Sequence, residues 1–173
     1  GEATVTRRSA NHFYLLSAAS AELRDLDHLL QQVQAGEQVE IRNTTEERGV
    51  IVVAGPRARD VLRSLTDASL ESAEFPWRSA QEIDIAGVAT LALRINYVGE
   101  LGWELHPAMA DLPSLYAAIW AAGEAHGIAD FGLYALNSLR MEKAYRGWGA
   151  ELTNEVTMLE ADMARFFGSG KED

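Results

Sequence analysis

The residues with the greatest chemical reach lie in one short stretch, Asn96-Tyr97-Val98-Gly99-Glu100-Leu101-Gly102-Trp103-Glu104-Leu105, with Arg94 just before it and His106 just after. Read as two strands joined by a glycine-containing turn, the alternation puts Leu101, Trp103 and Leu105 on one side and Glu100, Glu104 and His106 on the other. If the strands pair, Arg94, Asn96, Glu104 and His106 share a face. Such a face offers a carboxylate to accept from paired N–H groups, a guanidinium to meet an anion, and an amide that does either. A flat heterocycle with adjacent N–H donors suits it. The same residues also read as a solvated strand face with Arg94 paired to Glu104. Other spacings carry less. The four histidines, His12, His28, His106 and His126, are far apart and form no HExxH or paired-ligand pattern. No Gly-x-Ser-x-Gly, P-loop or dinucleotide fingerprint occurs; Gly132-Leu133-Tyr134 precedes a helix but lacks the needed glycines. The chain has no cysteine, which excludes thiolate nucleophiles, thiolate metal sites and a disulfide scaffold.

The elements that must position these residues follow from periodicity and turn chemistry. Thr4 to Arg7 and His12 to Ser17 read as a hairpin, with Ser9-Ala10-Asn11 as the turn. Ser20 reads as the cap of a helix whose Leu23, Leu26, Leu29, Leu30 and Val33 recur at three- and four-residue steps, stopped by Gly36. Strands are expected over Val39 to Asn43 and Gly49 to Ala54. Gly55-Pro56 then opens a short helix with Val61, Leu62 and Leu65 on its buried side. Thr66 to Ser79 reads as a linker. Glu82 to Ile85, Thr90 to Tyr97 and Trp103 to His106 read as strands, with Ala86-Gly87 as a turn. Helices are expected from Asp111 to His126 and from Gly132 to Arg146. This order predicts an α+β fold of antiparallel sheets covered by helices. By element order, though not by any residue-level repeat, two related units fall at about 1–66 and 80–126, followed by a helix and extension over 127–173.

Composition sets the bounds. The 173 residues carry 15 Lys plus Arg against 26 Asp plus Glu, a formal net charge of −11, with 47% apolar residues. There is enough apolar material for a core, and the sequence pI near 4.8 argues against nucleic acid or an anionic membrane as bulk partners. No apolar run approaches the ~20 residues needed to span a bilayer, and a cytoplasmic location is expected. The chain opens without Met and ends in polar Gly168-Ser169-Gly170-Lys171-Glu172-Asp173, which suggests a piece of something longer.

The stretch from Leu93 to Leu105 resembles the Arg-x-x-Tyr-x-Gly-Glu-x-Gly-x-Glu segment of the glycine-cleavage T-protein (aminomethyltransferase) family. Val52-Val53-Ala54-Gly55-Pro56-Arg57-Ala58 is similar to that family's strand-to-helix turn, and the run from Gly132 to Arg146 is similar to its helix near the folate site. The Tyr134-Ala135-Leu136-Asn137-Ser138-Leu139-Arg140 form points to the folate domain of dimethylglycine and sarcosine dehydrogenases. Trp148 to Thr153 and Thr157 to Ala161 continue the match.

The resemblance implies the aminomethyltransferase folate-binding fold with two ferredoxin-like units, present here as an incomplete part. A flavin domain that holds FAD would lie upstream and a small β-barrel downstream, so the missing domains of the parent chain count among its partners. It implies binding of tetrahydrofolate and capture of a one-carbon unit from an amine-derived iminium or aminomethyl donor, giving 5,10-methylenetetrahydrofolate. A non-catalytic folate-binding regulatory module is the alternative. Glu104 matches the carboxylate that grips the pterin ring, and Tyr97 the aromatic near the folate. Glu100 matches the first acid of the motif and is expected to stabilise the turn. Glu2 is the nearest equivalent of the family's catalytic Asp, one methylene longer. Leu136-Asn137 replaces an Arg-Asp pair, and Asn137 fits the dehydrogenase branch near the ligand. Tyr134, Arg94 and Trp148 are further ligand candidates. So is Arg140, which alternatively laces its helix together with Glu142 and Arg146.

Overall fold

In the computed structural model, which describes residues 2–164, four strands form one antiparallel sheet in the order β3-β6-β5-β4: β3 (Ile51–Ala54), β4 (Ala80–Ile85), β5 (Val88–Leu93) and β6 (Gly102–His106). β1 (Ala3–Ser9) and β2 (His12–Ser17) pair separately as a hairpin. The helices are α1 (Glu22–Gln32), α2 (Ala58–Leu62), α3 (Leu112–Gly123) and α4 (Leu133–Glu142). The expected α+β class with antiparallel sheets and packed helices is what the chain adopts. β4 and β5 join through Ala86 and Gly87, both at positive φ, as a two-residue hairpin turn demands. Among the described residues no helix is long and apolar enough to cross a membrane, and no three His, Asp or Glu side chains are grouped to hold a metal ion.

The register decides which side chains share a face. Leu105 lies opposite Ala92 and Ile51, and Trp103 opposite Val53. These residues form the core face with Ile85, and they pack with Val61 and Leu62 of α2, Leu115 and Ile119 of α3, and Leu70 and Phe75 of the irregular 66–79 segment. The other face carries Glu104 and His106 opposite Leu93 and Leu91. Gly102 starts β6 because a Cβ there would sit 2.6 Å from the Val53 carbonyl oxygen and 2.9 Å from Ala54 Cα, both backbone atoms of the paired strand. Gly102→Ala should therefore destabilise the protein by ~1–3 kcal/mol, as forced overpacking does. Chemical denaturation would measure it.

Several expected elements change. Residues 39–43 form no strand, and the sheet takes β3 from the 1–66 stretch and β4 to β6 from the 80–126 stretch. Ser20 caps nothing; a single 3-10 turn over Ala19–Ala21 leads into α1. The leucine stripe of α1 is not buried, with Leu23 78% exposed, because within the described residues no element covers it. β5 stops at Leu93 rather than Tyr97, since Asn96 organises the next residues as a loop: its Oδ1 accepts from the Val98 and Gly99 N–H groups, and its Nδ2 donates to the Glu100 carbonyl. α4 ends at Glu142, so Arg146 is not a helical partner of Glu142 and instead pairs with Asp162 at 3.6 Å. The expected extension beyond residue 164 lies outside the described residues.

Candidate functional site

The shared face expected for Arg94, Asn96, Glu104 and His106 is corrected by the register. Glu104 pairs with Leu93, one residue short of Arg94, and a one-residue offset transfers a side chain to the opposite face. Arg94 turns to the core side, its guanidinium 5.7 Å from the Trp103 ring centre, and donates to the Phe75 carbonyl at 2.5 Å and to Ser72 Oγ at 3.1 Å. It fixes the 72–79 segment against the sheet. Asn96 is spent on its loop. Glu104 and His106 remain together, two residues apart on β6, with the Glu104 carboxylate part-exposed and the imidazole wholly buried.

The hairpin covers this face. Tyr14 of β2 reaches His106, its hydroxyl 3.4 Å from Nδ1 and its ring edge-on to the imidazole. Arg8 of β1 pairs with Glu82 of β4. Arg48 lies over the Tyr14 ring and donates to the His106 carbonyl at 3.1 Å. Burial pushes the Tyr14 hydroxyl above its ordinary pKa against the opposing pull of Arg48 and Arg8, so it stays a proton donor. Sequence reading placed Tyr14 in a strand without giving it a role. The structure sets it directly across from Thr6, on the hairpin face that is less exposed than the one carrying Val5, Phe13 and Leu15.

A second group forms where the 94–101 loop meets the end of α4. Tyr97 donates its hydroxyl to the Arg146 carbonyl, and its ring lies 6.0 Å from that of Tyr145. Burial raises the Tyr97 pKa, opposed by the nearby Arg140 charge and helped by Glu2 and Glu151. Glu2, at the start of the hairpin, thus stands within electrostatic reach of Tyr97. Glu100 ties its loop to Lys143 through a 3.0 Å ion pair.

Arg140 is 5% exposed and makes four hydrogen bonds to protein acceptors: Asn137 Oδ1 at 2.9 and 2.7 Å, the Tyr145 carbonyl at 2.8 Å and Glu151 Oε2 at 2.6 Å. It builds the 145–152 loop that carries Trp148, which is partly exposed. Tyr134 stands apart, 95% exposed on α4. A groove of about 360 Å³ runs elsewhere, along the β3 edge between Tyr116, Trp120, Phe131 and Leu133, and is lined by none of Glu104, Tyr97, Arg94, Asn137, Arg140, Trp148 and Tyr134.

The Arg140 hydrogen bond, and after it the Gly147 N–H, hold the Glu151 carboxyl down at about 2, against an ordinary 4.5. A carboxyl whose folded pKa is depressed stabilises the fold above its unfolded pKa and loses that contribution as pH falls through the folded one. The 145–152 loop should therefore loosen between about pH 4.5 and 2, and Glu151→Gln should remove the pH dependence in that window. Amide exchange of residues 145–152 against pH would show it.

Comparisons with known proteins agree with this architecture. Residues 1–171 match the model of the GCVT N-terminal domain. The chain is 42% identical over 166 residues to human mitochondrial dimethylglycine dehydrogenase, covering 95% of this chain and 19% of that protein. It is 35% identical over 153 residues to mouse mitochondrial sarcosine dehydrogenase, covering 88% and 17%. It is 33% identical over 159 residues to an aminomethyltransferase of Listeria welshimeri, covering 92% and 42%. A chain of the heterotetrameric sarcosine oxidase from Corynebacterium sp. U-96, solved in complex with pyrrole 2-carboxylate, shares the fold with a TM-score of 0.61 at 22% identity, over 75% of this chain and 64% of that one. The chain spans about a fifth of the length of the dehydrogenases it matches. With one domain model matching from residue 1 to residue 171, the chain belongs to the GCVT N-terminal domain family.

Proposed function

We propose that this chain is the tetrahydrofolate-binding part of a dimethylglycine- or sarcosine-dehydrogenase-like enzyme, passing a one-carbon unit from an amine-derived iminium or aminomethyl donor to tetrahydrofolate as 5,10-methylenetetrahydrofolate. The observation that carries the reading is Glu104: a part-exposed carboxylate on a covered sheet face, with apolar Leu91 and Leu93 beside it and a buried imidazole behind. A carboxylate so placed is a bidentate acceptor for the amino and ring N–H groups of a pterin edge. Tyr97, held by the Arg146 carbonyl on the loop that precedes β6, is the aromatic assigned to the folate. Arg140 and Asn137 act from behind by shaping the 145–152 loop, from which Trp148 offers an indole for stacking. Arg8 and Arg48 supply positive charge on the hairpin side. Oxidation of the amine belongs to a flavin domain of the parent chain. What these residues do is hold the folate nitrogen against an electrophilic carbon, and Glu2 is the group assigned to the single proton that must move.

Calorimetry with tetrahydrofolate on the full-length parent enzyme tests the reading, and absence of binding at millimolar ligand overturns it. In the same enzyme, Glu2→Gln should lower folate-coupled turnover by about tenfold or more while leaving tetrahydrofolate affinity unchanged. Unchanged turnover would favour the binding-only regulatory module.

A further inference from the structure

We infer that His106 is a positioning residue for Glu104, donating from Nε2 to one carboxylate oxygen so that the other faces the ligand; this rests on the folate reading of Glu104. The imidazole has no exposed surface, and buried polar groups are almost always satisfied. Yet among the described residues Nε2 has no hydrogen-bond partner. The carboxylate stands in front of it, with Nε2 3.6 Å from Glu104 Oε2, one-tenth of an ångström beyond hydrogen-bond range. The other ring nitrogen is accounted for by the Tyr14 hydroxyl. In the tautomer that donates from Nε2 toward the carboxylate, Nδ1 is the acceptor, and the Tyr14 hydroxyl 3.4 Å away is placed to donate to it. Three elements fix the ring in place: β6 supplies the residue, β2 supplies Tyr14, and Arg48 holds both the Tyr14 ring and the His106 carbonyl.

A carboxylate on a strand face turns about two side-chain torsions before its terminal one. A donor locked behind one oxygen removes much of that freedom and presents the second oxygen's lone pairs in one direction. The gain appears as ligand affinity, because the group no longer has to be ordered on binding.

The experiment is a double-mutant cycle on the full-length parent enzyme, read by tetrahydrofolate Kd, together with ¹⁵N chemical shifts of the His106 ring. His106→Leu should weaken binding about tenfold, and His106→Gln, whose amide N–H falls near the Nε2 position, should recover most of it. In the Glu104→Ala background, His106→Leu should change Kd less than twofold, since a group acting only through the Glu104 carboxylate has nothing left to position. The ring should be protonated at Nε2, and its shifts should move in Glu104→Gln. Equal losses from His106→Leu in both backgrounds would reduce His106 to packing and overturn the inference. Ring shifts indifferent to Glu104→Gln would overturn the pairing whatever folate does. A Kd indifferent to Glu104→Gln, with the ring shifts moving as expected, would instead overturn the folate reading and leave the His106–Glu104 pair standing.

Discussion

Replacing Glu104 by Ala in the full-length parent enzyme is expected to weaken tetrahydrofolate binding by ~2–4 kcal/mol, about 30- to 1,000-fold in Kd. The size follows from what the carboxylate does. Truncation removes two charge-assisted acceptors and leaves the paired N–H groups of a bound pterin facing a cavity with no partner. The side chain lies between solvent and a buried histidine, so water only partly compensates. Glu104→Gln should fall between the wild type and Ala, since an amide retains one acceptor but opposes a second pterin N–H with its own donor. Calorimetric titration measures all three, and equal affinities would remove Glu104 from the site.

The largest effect on stability should come from Trp103→Ala. The indole is fully buried in the core, 6.2 Å from the Phe75 ring and beneath the Arg94 guanidinium that pins the 72–79 segment. Emptying that volume should cost ~3–5 kcal/mol, a large share of the ~5–15 kcal/mol that holds a domain together. Its effect should reach beyond the cavity, because Arg94 loses the ring it lies over and the segment carrying Leu70 and Phe75 loosens with it. Trp103→Phe should cost much less. It keeps an aromatic in the slot and deletes an indole N–H that has no hydrogen-bond partner among the described residues. Urea denaturation should rank the three proteins wild type, Phe, Ala, and an Ala variant as stable as the wild type would show that the core does not depend on this ring. The site should suffer indirectly, since β6 carries Trp103 inward and Glu104 outward on adjacent residues.

That adjacency marks where sequence reading succeeded and where it failed. The strands around Glu104 were legible because β-branched and apolar alternation bounded by Ala86-Gly87 and Gly102 leaves little choice of element. Pairing register was not legible. The loop from Arg94 to Leu101 has its own hydrogen bonds, centred on the Asn96 side chain, and its length sets the register of β6 against β5. Counting alternate residues through such a loop assigned Arg94 to the Glu104 face, when pairing with Leu93 excludes it. Arg140 shows the same limit in a helix. Spacing offered a helical lace with Glu142 and Arg146, but its helical partner is Asn137, one turn earlier, and its others, Tyr145 and Glu151, lie in a loop whose fold no local propensity announces. The stripe on α1 reads as a core face, yet Leu23 and Leu30 are exposed, because periodicity reveals that a face is apolar and not what covers it. Tyr14 was invisible as a site residue for a related reason: its partner His106 is 92 residues away.

Whether the Glu104 face under the hairpin receives the folate is read out by amide hydrogen exchange of the full-length parent enzyme with and without tetrahydrofolate. Exchange should slow across residues 94–106 and around Tyr14 on β2, and slow less in Glu104→Ala at matched ligand. Protection confined to the groove lined by Tyr116, Trp120, Phe131 and Leu133, with residues 94–106 unchanged, would contradict it.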